Sequence, residues 1–214
     1  MVSKCNRPPD DDPNVHIKRT GTAEIPTAHG MFTANAYEDT SGLEHMAYVA
    51  GELSEDTVPL VRLHSECLTG DVLGSLRCDC GSQLNAALAI TSESDSGIVL
   101  YLRGHEGRGI GLGNKMQAYA LQDDGLDTVE ANDALGLPVD SRDYRVAADM
   151  LKDLGVTAIR LLSHNPAKIA GLTEHGICVV EQIQLAGVTT PENQRYLETK
   201  RDRLNHALEL SQQG

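Results

Sequence analysis

The sequence predicts an α/β protein with a mixed sheet, a β-rich N-terminal part and helix–strand alternation in residues 82–185. Between residues 23 and 53, short β-prone stretches alternate with turns. From residue 82 onward, apolar residues at helical spacing alternate with short apolar runs typical of buried strands. The length of 214 residues is enough for one domain to bury a core without disulfides.

The first half of the chain is predicted as a tail followed by strands. Residues 1–20 hold two successive prolines and three successive aspartates but almost no apolar side chains, so we expect a flexible tail. Turns at residues 29–30 and 41–42 divide a predicted meander over residues 23–53. The run VPLVRL at 58–63 predicts a buried strand that ends just before HSEC at 64–67.

The second half is predicted to alternate helices and strands. Helices are expected over residues 82–93, near 112–122 and from about 142 to 154, and strands over 98–102, 159–162 and 177–183. Asn165 and Pro166 are expected as the N-cap and first residue of a further helix. These elements predict one domain over residues 21–190, followed by a helical tail over 191–214.

The charge of the chain limits its partners. It carries 18 basic and 31 acidic residues, a formal net charge of −13, and only seven aromatic side chains, so it lacks the cationic face and stacking aromatics of a nucleic-acid binder. Basic residues are nevertheless concentrated in the middle of the chain, where a small polyanion is the expected ligand: Arg62, Arg77, Arg103, Arg108, Lys115, Arg142 and Arg145.

The expected compartment is the cytoplasm. No apolar run approaches the ~20 residues that cross a bilayer, and residues 1–12 do not resemble a signal peptide, so we expect neither a membrane protein nor a secreted one. Five cysteines, an odd number without an export signal, favour reduced thiols, and close spacing then points to metal binding or catalysis.

Three cysteines, Cys67, Cys78 and Cys80, form a candidate metal site. Thiolates select zinc or an iron–sulfur cluster, and a structural zinc site usually has four protein ligands. Three ligands leave a fourth position for water, which is the catalytic arrangement, although His64 is a candidate fourth ligand that would make the site structural. The His-x-Glu and Pro-Cys-x-x-Cys pattern of zinc deaminases is absent.

A glycine-rich loop, RGHEGRGIGLG at residues 103–113, lies between a predicted strand and a predicted helix. Such a loop lets backbone amides approach an anion, although neither a P-loop nor a dinucleotide fingerprint is present. Because Arg103 and Arg108 lie inside the loop and Lys115 just beyond it, the pattern predicts a phosphate site.

Several stretches together resemble GTP cyclohydrolase II, the enzyme that opens the guanine ring of GTP at the first step of riboflavin synthesis. The resemblance covers about residues 58–185 and is carried by RLHSECLTGD at 62–71, LRCDCG at 76–81, HEGRGIGL at 105–112, AYALQD at 118–123, DTVEAN at 127–132 and NPAK at 165–168. It implies release of formate and pyrophosphate, with 2,5-diamino-6-(5-phosphoribosylamino)pyrimidin-4(3H)-one as the other product. It also implies one Zn²⁺ per subunit, Mg²⁺ with the pyrophosphate, and a homodimer.

The resemblance assigns roles to individual residues. It makes Cys67, Cys78 and Cys80 the zinc ligands, Asp140 the proton acceptor, Arg142 the nucleophile and Tyr119 a tyrosine beside the zinc. Without the resemblance, Asp140 would be interpreted as the N-cap of a helix starting near Arg142. The positions that it assigns to GTP binding are Arg62, Leu63, His64, Ser65, Glu66, Gln83, Glu106, Gly107, Arg108, Thr128, Ser163 and Lys168.

One departure from the family leaves alternatives open. The family commonly has Thr-Asn-Asn-Pro where this chain has Ser163-His164-Asn165-Pro166. A tolerated substitution is one interpretation. A paralog that acts on another nucleotide, or that stops at the formamidopyrimidine, is a second. A zinc-stabilised nucleotide-binding module without turnover is a third, from a different class of protein.

Overall fold

The computed structural model describes residues 16–54, 56–163, 165–185, 189–194, 197–199 and 201. Within these residues, seven strands form one mixed sheet in the order β1-β2-β3-β5-β4-β6-β7. The strands are β1 (Ile17–Thr27), β2 (Gly30–Asp39), β3 (Glu44–Gly51), β4 (Leu60–Ser65), β5 (Ser96–Leu102), β6 (Ala158–Leu162) and β7 (Cys178–Ile183). The helices are α1 (Leu68–Asp71), α2 (Cys80–Ser92), α3 (Gly111–Asp123), α4 (Thr128–Ala134), α5 (Arg145–Asp153) and α6 (Pro166–Glu174), with a 3₁₀ turn at Glu106–Arg108. The predicted fold class is confirmed.

The chain divides into two compact units that interleave along the sequence. The first comprises the described residues up to His64, Ala86–Leu102 and Asp143–Leu185, and it contains the sheet. The second comprises Ser65–Asn85, Arg103–Arg142 and the described residues after 188. The sequence contains no linker signal at these boundaries, and the single domain over residues 21–190 remains a prediction.

The N-terminal strands form the predicted meander. β1 pairs with β2, β2 with β3 and β3 with β5, all antiparallel. β1 begins at Ile17, inside the stretch expected as a tail, while residues 1–15 lie outside the described residues. Most of the expected helical tail over 191–214 also lies outside them.

The C-terminal strands carry parallel pairings. β4 pairs parallel with β6, and β6 pairs parallel with β7. β5, the run SGIVLYL, is buried along almost its whole length, as expected of a strand covered on both faces. The core of the first unit is formed by the inward side chains of this sheet and of α5 and α6: Tyr37, Val61, Leu63, Ile98, Leu100, Met150, Leu151, Ile159, Leu161 and Leu172.

Two helix starts follow from side-chain capping. Asn165 caps α6, as predicted, because its Oδ1 accepts a hydrogen bond from the backbone N–H of Ala167. Asp127 and Glu130 form a capping box at α4, a helix that periodicity did not predict although the D-x-x-E signal is present. Among the helices of the described chain, none is long and apolar enough to span a bilayer.

Helix α5 begins at Arg145, three residues after the predicted start. Asp140 accepts the backbone N–H of Arg142 through Oδ1 at 3.1 Å, which holds this segment in a turn outside the helix. The N-cap of α5 is Tyr144. The interpretation of Asp140 as the cap of a helix starting near Arg142 is therefore wrong.

Candidate active site

Cys67, Cys78 and Cys80 converge within the second unit. Cys67 immediately precedes α1, Cys80 is the first residue of α2, and Cys78 lies in the turn before it. Their sulfurs all lie within 4.8 Å of one another, with Cys67 Sγ and Cys78 Sγ 3.7 Å apart. Gly70 makes room for them, because a Cβ at this position would lie 2.8 Å from Cys78 Sγ.

This donor set fits a tetrahedral thiolate-bound metal. Zinc–sulfur bonds of about 2.3 Å place the sulfurs of a tetrahedral site about 3.8 Å apart, close to the 3.7 Å between Cys67 and Cys78. Within the described part of the chain, the three cysteines form a cluster without a histidine or carboxylate. This composition supports the three-ligand interpretation over a closed site with His64, whose ring instead stacks on Tyr101 at 5.5 Å.

The cluster has an electrostatic environment that favours a thiolate. Hydrogen bonds from the thiols of Cys78 and Cys80 lower the pKa of Cys67 despite its burial, and the positive charge of Lys115 lowers it further. All three cysteines are free thiols.

Lys115 is not available as the phosphate ligand that the sequence suggested. Its ammonium is buried on α3 and donates to Glu106 Oε1 at 2.6 Å, to Thr69 Oγ1 at 2.8 Å and to Cys67 Sγ at 3.2 Å. Burial opposes the charge, but the Glu106 carboxylate raises the pKa of Lys115 above its ordinary value. Spacing alone does not reveal this pairing, because Glu106 and Lys115 belong to different local elements.

Tyr119 lies on α3 between two cations. The Arg77 guanidinium carbon lies 4.9 Å from the centroid of its ring, and Lys115 Nζ lies 5.6 Å from it. Arg77 also pairs with Asp123 and donates to the Tyr119 carbonyl at 3.4 Å. Arg77 thus holds the helix that carries Tyr119, a role that the sequence pattern did not indicate.

Asp140 and Arg142 form a two-pronged ion pair. Arg142 donates from Nε to Asp140 Oδ1 at 2.9 Å and from Nη2 to Oδ2 at 2.5 Å. Arg142 Nη1 also donates to Ser65 Oγ at 3.3 Å, and this hydroxyl contacts His105 Nδ1 at 3.1 Å. Burial raises the pKa of Asp140, but the hydrogen bonds and charge of Arg142, with the charge of Arg108, hold it below its ordinary value.

The glycine-rich loop folds tightly against the segment that carries this pair. Gly107, Arg108 and Gly109 all have positive φ values, of 59°, 65° and 89°. The Arg108 carbonyl accepts the backbone N–H of Ser141 at 3.0 Å, and a Cβ on Gly109 would lie 2.4 Å from Ser141 Oγ. The loop therefore brings Arg108 close to Asp140, and only glycine fits beside Ser141.

Glu66, at the start of the second unit, fixes the beginning of this loop. Its Oε2 accepts the backbone N–H of Gly104 at 2.9 Å, and its Oε1 lies 3.7 Å from Arg103 Nε.

Gln83 is buried on α2 and donates to Asp79 Oδ2 at 2.5 Å. Thr128 is the first residue of α4 and is half-buried.

The first unit holds a separate group of the predicted substrate residues. They lie on β4, directly after its parallel neighbour β6, and in the first turn of α6. The carboxyl ends of such parallel strands are where α/β proteins commonly bind ligands. Buried Arg62 donates to the Leu162 carbonyl at 3.0 Å, and buried Lys168 donates to the Leu63 carbonyl at 2.6 Å. Ser163 Oγ accepts the backbone N–H of Asn165 at 3.1 Å, whereas His164 lies outside the described residues.

Fold and site together define a class: a mixed α/β protein with a cluster of three cysteines that could hold a metal ion. The family model described as GTP cyclohydrolase II matches residues 18–184. The chain therefore belongs to the GTP cyclohydrolase II family.

Curated relatives carry riboflavin-synthesis names. The riboflavin biosynthesis protein RibBA of Salinispora arenicola is 56% identical over 197 residues, which are 92% of this chain and 47% of that protein. The bifunctional riboflavin biosynthesis protein RIBA 1, chloroplastic, of Arabidopsis thaliana is 51% identical over 199 residues, or 92% of this chain and 37% of that protein. The chain thus spans about half or less of the length of these relatives.

A solved structure also matches, though more distantly. It is RibBX, a two-domain 3,4-dihydroxy-2-butanone 4-phosphate synthase from A. baumannii, with 23% identity and a TM-score of 0.44 over 80% of this chain and 40% of that one. A likeness this low carries no argument about function.

Proposed function

We propose that this chain hydrolyses GTP by opening its guanine ring, with release of formate and pyrophosphate. The remaining product is 2,5-diamino-6-(5-phosphoribosylamino)pyrimidin-4(3H)-one, and the reaction is the first step of riboflavin synthesis. The observation that carries the proposal is the convergence of three free cysteines in a chain of the GTP cyclohydrolase II family. The Asp140–Arg142 pair, in the same compact unit, supports it.

The proposed cofactor is one Zn²⁺ per subunit, held by Cys67, Cys78 and Cys80. When bound, zinc supplies Lewis-acid activation of a water molecule for attack on a purine carbon between two nitrogens. Magnesium is proposed to arrive with the phosphates of the nucleotide, since oxygen-rich phosphate groups are its usual partners. Within the described residues, the cysteines form the one cluster of three or more potential metal ligands.

The protein groups have distinct proposed roles. Tyr119, held between Arg77 and Lys115, donates or relays a proton at the ring. Arg142 acts at the α-phosphate of GTP, from which pyrophosphate is released, with Asp140 as its ion-pair partner. The proposed GTP ligands of the second unit are Ser65, Glu66, Gln83, Glu106, Gly107, Arg108 and Thr128, and those of the first are Arg62, Leu63, His64, Ser163 and Lys168.

Arg142 acts by one of two routes. As a nucleophile it would have to lose a proton, and Asp140 is the group in contact with it. Transfer from a guanidinium with a pKa above 12 to an ordinary carboxyl spans about 8 pKa units, on the order of 11 kcal/mol, and the lowered pKa of Asp140 widens this gap. These values support the alternative, in which Arg142 stays protonated and stabilises the developing phosphate charge while water attacks.

Incubation of the zinc-loaded chain with GTP tests the proposal. Formate, pyrophosphate and the pyrimidine product are measured separately, together with bound zinc. All three products are expected from GTP. Pyrophosphate without formate would identify a paralog that stops at the formamidopyrimidine, and bound zinc without any product would identify a binding module.

Two further properties are proposed. A homodimer is expected from the family resemblance, and sedimentation of the purified chain measures it. A cytoplasmic location is proposed as well. The expectation of reduced thiols holds for the three cysteines of the cluster but not for Cys178, which is disulfide-bonded in the structure.

A further inference from the structure

The three protons of the buried Lys115 ammonium are matched by three acceptors. Glu106 Oε1, Thr69 Oγ1 and Cys67 Sγ lie at 2.6, 2.8 and 3.2 Å from Nζ. The side chains of Lys115 and Glu106 are each only 9% exposed. The ammonium is thus directed at one of the three clustered thiols and is unavailable to solvent.

Glu106 continues the network to the backbone next to Cys67. Its second oxygen, Oε2, accepts the backbone N–H of Leu68 at 2.7 Å, and Leu68 follows Cys67 directly. On the other side, Asp71 Oδ2 accepts the backbone N–H of Cys67 at 3.0 Å. Cys67 is therefore fixed through its sulfur by Lys115 and through its neighbouring amides by Glu106 and Asp71.

Stability alone is a poor explanation for this buried pair. Removing two charges from water costs several kcal/mol per ion, and a well-packed apolar pair often does equally well. A charge balance gives a better one. Three cysteines that lose their protons to solvent and bind one divalent ion as thiolates form a centre with a net charge of −1. Lys115 and Glu106 together add no net charge, but the ammonium end of the pair faces the sulfur of Cys67.

We propose that Lys115, oriented by Glu106, is a positioning residue of the cysteine cluster that offsets its thiolate charge through a hydrogen bond to Cys67 Sγ. This inference rests on the metal-binding part of the proposed function. A donor at a thiolate sulfur withdraws electron density from the metal–sulfur bond, so the bound metal remains a stronger Lewis acid. The glycine-rich loop, through Glu106, thereby tunes the metal site.

Metal titration without nucleotide tests the inference. Co²⁺ replaces Zn²⁺ in the 214-residue chain, and the sulfur-to-cobalt charge-transfer band reports the energy of the sulfur electrons. Lys115→Met removes the donor, so the band should move to lower energy, and zinc affinity in chelator competition should fall about 10-fold or more. Glu106→Gln leaves the Lys115 charge unshared, so the band should move to higher energy without that loss.

The opposite directions of the two band shifts distinguish this role of Lys115 and Glu106 from a purely structural one. A pair that only holds the loop predicts that both variants loosen the site, with shifts in the same direction or none, and this result would overturn the inference. Lys152→Met removes the same charge from α5 in the first unit and should leave the band unmoved. If Lys115→Met does not fold, the shift in Glu106→Gln decides alone.

The result is independent of the proposed reaction. A chain with the two opposite shifts but no products from GTP would refute the activity and keep the inference. A chain that opens the guanine ring of GTP but whose two variants do not shift the band in opposite directions would keep the proposed activity and refute the inference. A wild-type chain without a sulfur-to-cobalt band would also overturn the inference.

Discussion

At the residue scale, the three cysteines of the cluster differ in their contacts and in the electrostatic environment of their thiols. Cys67 has the lowered pKa and the contact with Lys115, whereas the pKa of Cys78 is raised, chiefly by its hydrogen bond to Cys67. Cys80 belongs to α2, so its position depends on that helix. The surroundings therefore favour the charged form of Cys67 over that of Cys78.

We expect Cys78→Ser to lose bound zinc and ring opening together, because a hydroxyl is a far weaker ligand than a thiolate. Metal content by mass spectrometry and formate release measure the two effects. Cys178→Ser replaces the disulfide-bonded cysteine of β7, which lies outside the cluster, and this variant should keep its zinc. Ring opening by a zinc-free Cys78→Ser chain would refute the proposed role of the metal.

The role of Arg142 is decided by a lysine substitution. Arg142→Lys keeps the positive charge but loses the guanidinium group, which donates hydrogen bonds to both carboxylate oxygens of Asp140. If Arg142 stabilises charge while water attacks, pyrophosphate release should fall about 10- to 100-fold and remain measurable. Complete loss in this variant, with a guanylyl-sized mass adduct on the wild-type chain, would establish covalent attack instead.

At the scale of elements, the hairpin from β2 to β3 depends on one carboxylate. Asp39 Oδ1 accepts the backbone N–H groups of Ser41 and Leu43 at 2.8 and 3.0 Å, and its Oδ2 lies 3.2 Å from His45 Nε2. Burial raises the pKa of Asp39, but the hydrogen bonds from Ser41, Leu43 and His45 outweigh it and lower the pKa from 3.8 to about 2. The charged form of Asp39 therefore stabilises the folded state.

Asp39→Asn should destabilise the chain by about 1–2 kcal/mol at pH 7, because charge-assisted hydrogen bonds become ordinary ones. Because the pKa of Asp39 is lower in the folded state, its charge stabilises the fold at pH values above its unfolded pKa of 3.8. The difference in stability between the wild-type chain and Asp39→Asn should therefore be complete above about pH 4 and shrink as the pH falls towards 2. Urea unfolding at several pH values measures it. Asp124→Asn, at an exposed position after α3, should change stability by less than about 0.5 kcal/mol, and a pH-independent loss in Asp39→Asn would contradict the argument.

Most elements were predictable because their signals are local. The runs at 58–63, 98–102 and 159–162 and the Asn165–Pro166 cap all correspond to elements of the structure. The start of α5 was not predictable from periodicity, because the pairing of Asp140 with Arg142 holds the preceding segment out of the helix. α1 has only four residues, too few for a periodic pattern.

The site was predictable where residues lie close in sequence. The convergence of Cys78 and Cys80 follows from their spacing, and the cluster with Cys67 is confirmed. Contacts between distant segments left no such signal: Lys115 with Cys67 joins residues 48 positions apart, and Arg142 with Ser65 joins residues 77 positions apart. Lys115 was therefore misinterpreted as a phosphate ligand, because its buried acceptors belong to other segments.

At the scale of the whole molecule, the two units are held by different forces. The apolar core around β4, β5 and β6 belongs entirely to the first unit. The cysteines and the network of Lys115 and Glu106 belong to the second, where α1 and the loop before α2 expose the large apolar side chains Leu68, Val72, Leu73 and Leu76. The second unit thus relies more on polar contacts and, by our proposal, on its metal.

Zinc should therefore stabilise the two units to different extents. A ligand that binds only the folded form adds stability to the structure that its binding requires, and regions that open locally without the metal gain the most protection. Hydrogen exchange of metal-free and zinc-loaded chain should slow most in residues 65–85 and 103–142, and least in β5 and β6. The reason is that all three ligands lie in the former segments, while the strands are already protected by burial.

Cys78→Ser under the same conditions supplies the control, since added zinc should leave its exchange pattern unchanged. An equal slowing of the strands and of the cysteine segments would mean that the chain opens as a single cooperative unit, and that the metal stabilises the sheet as much as its own site.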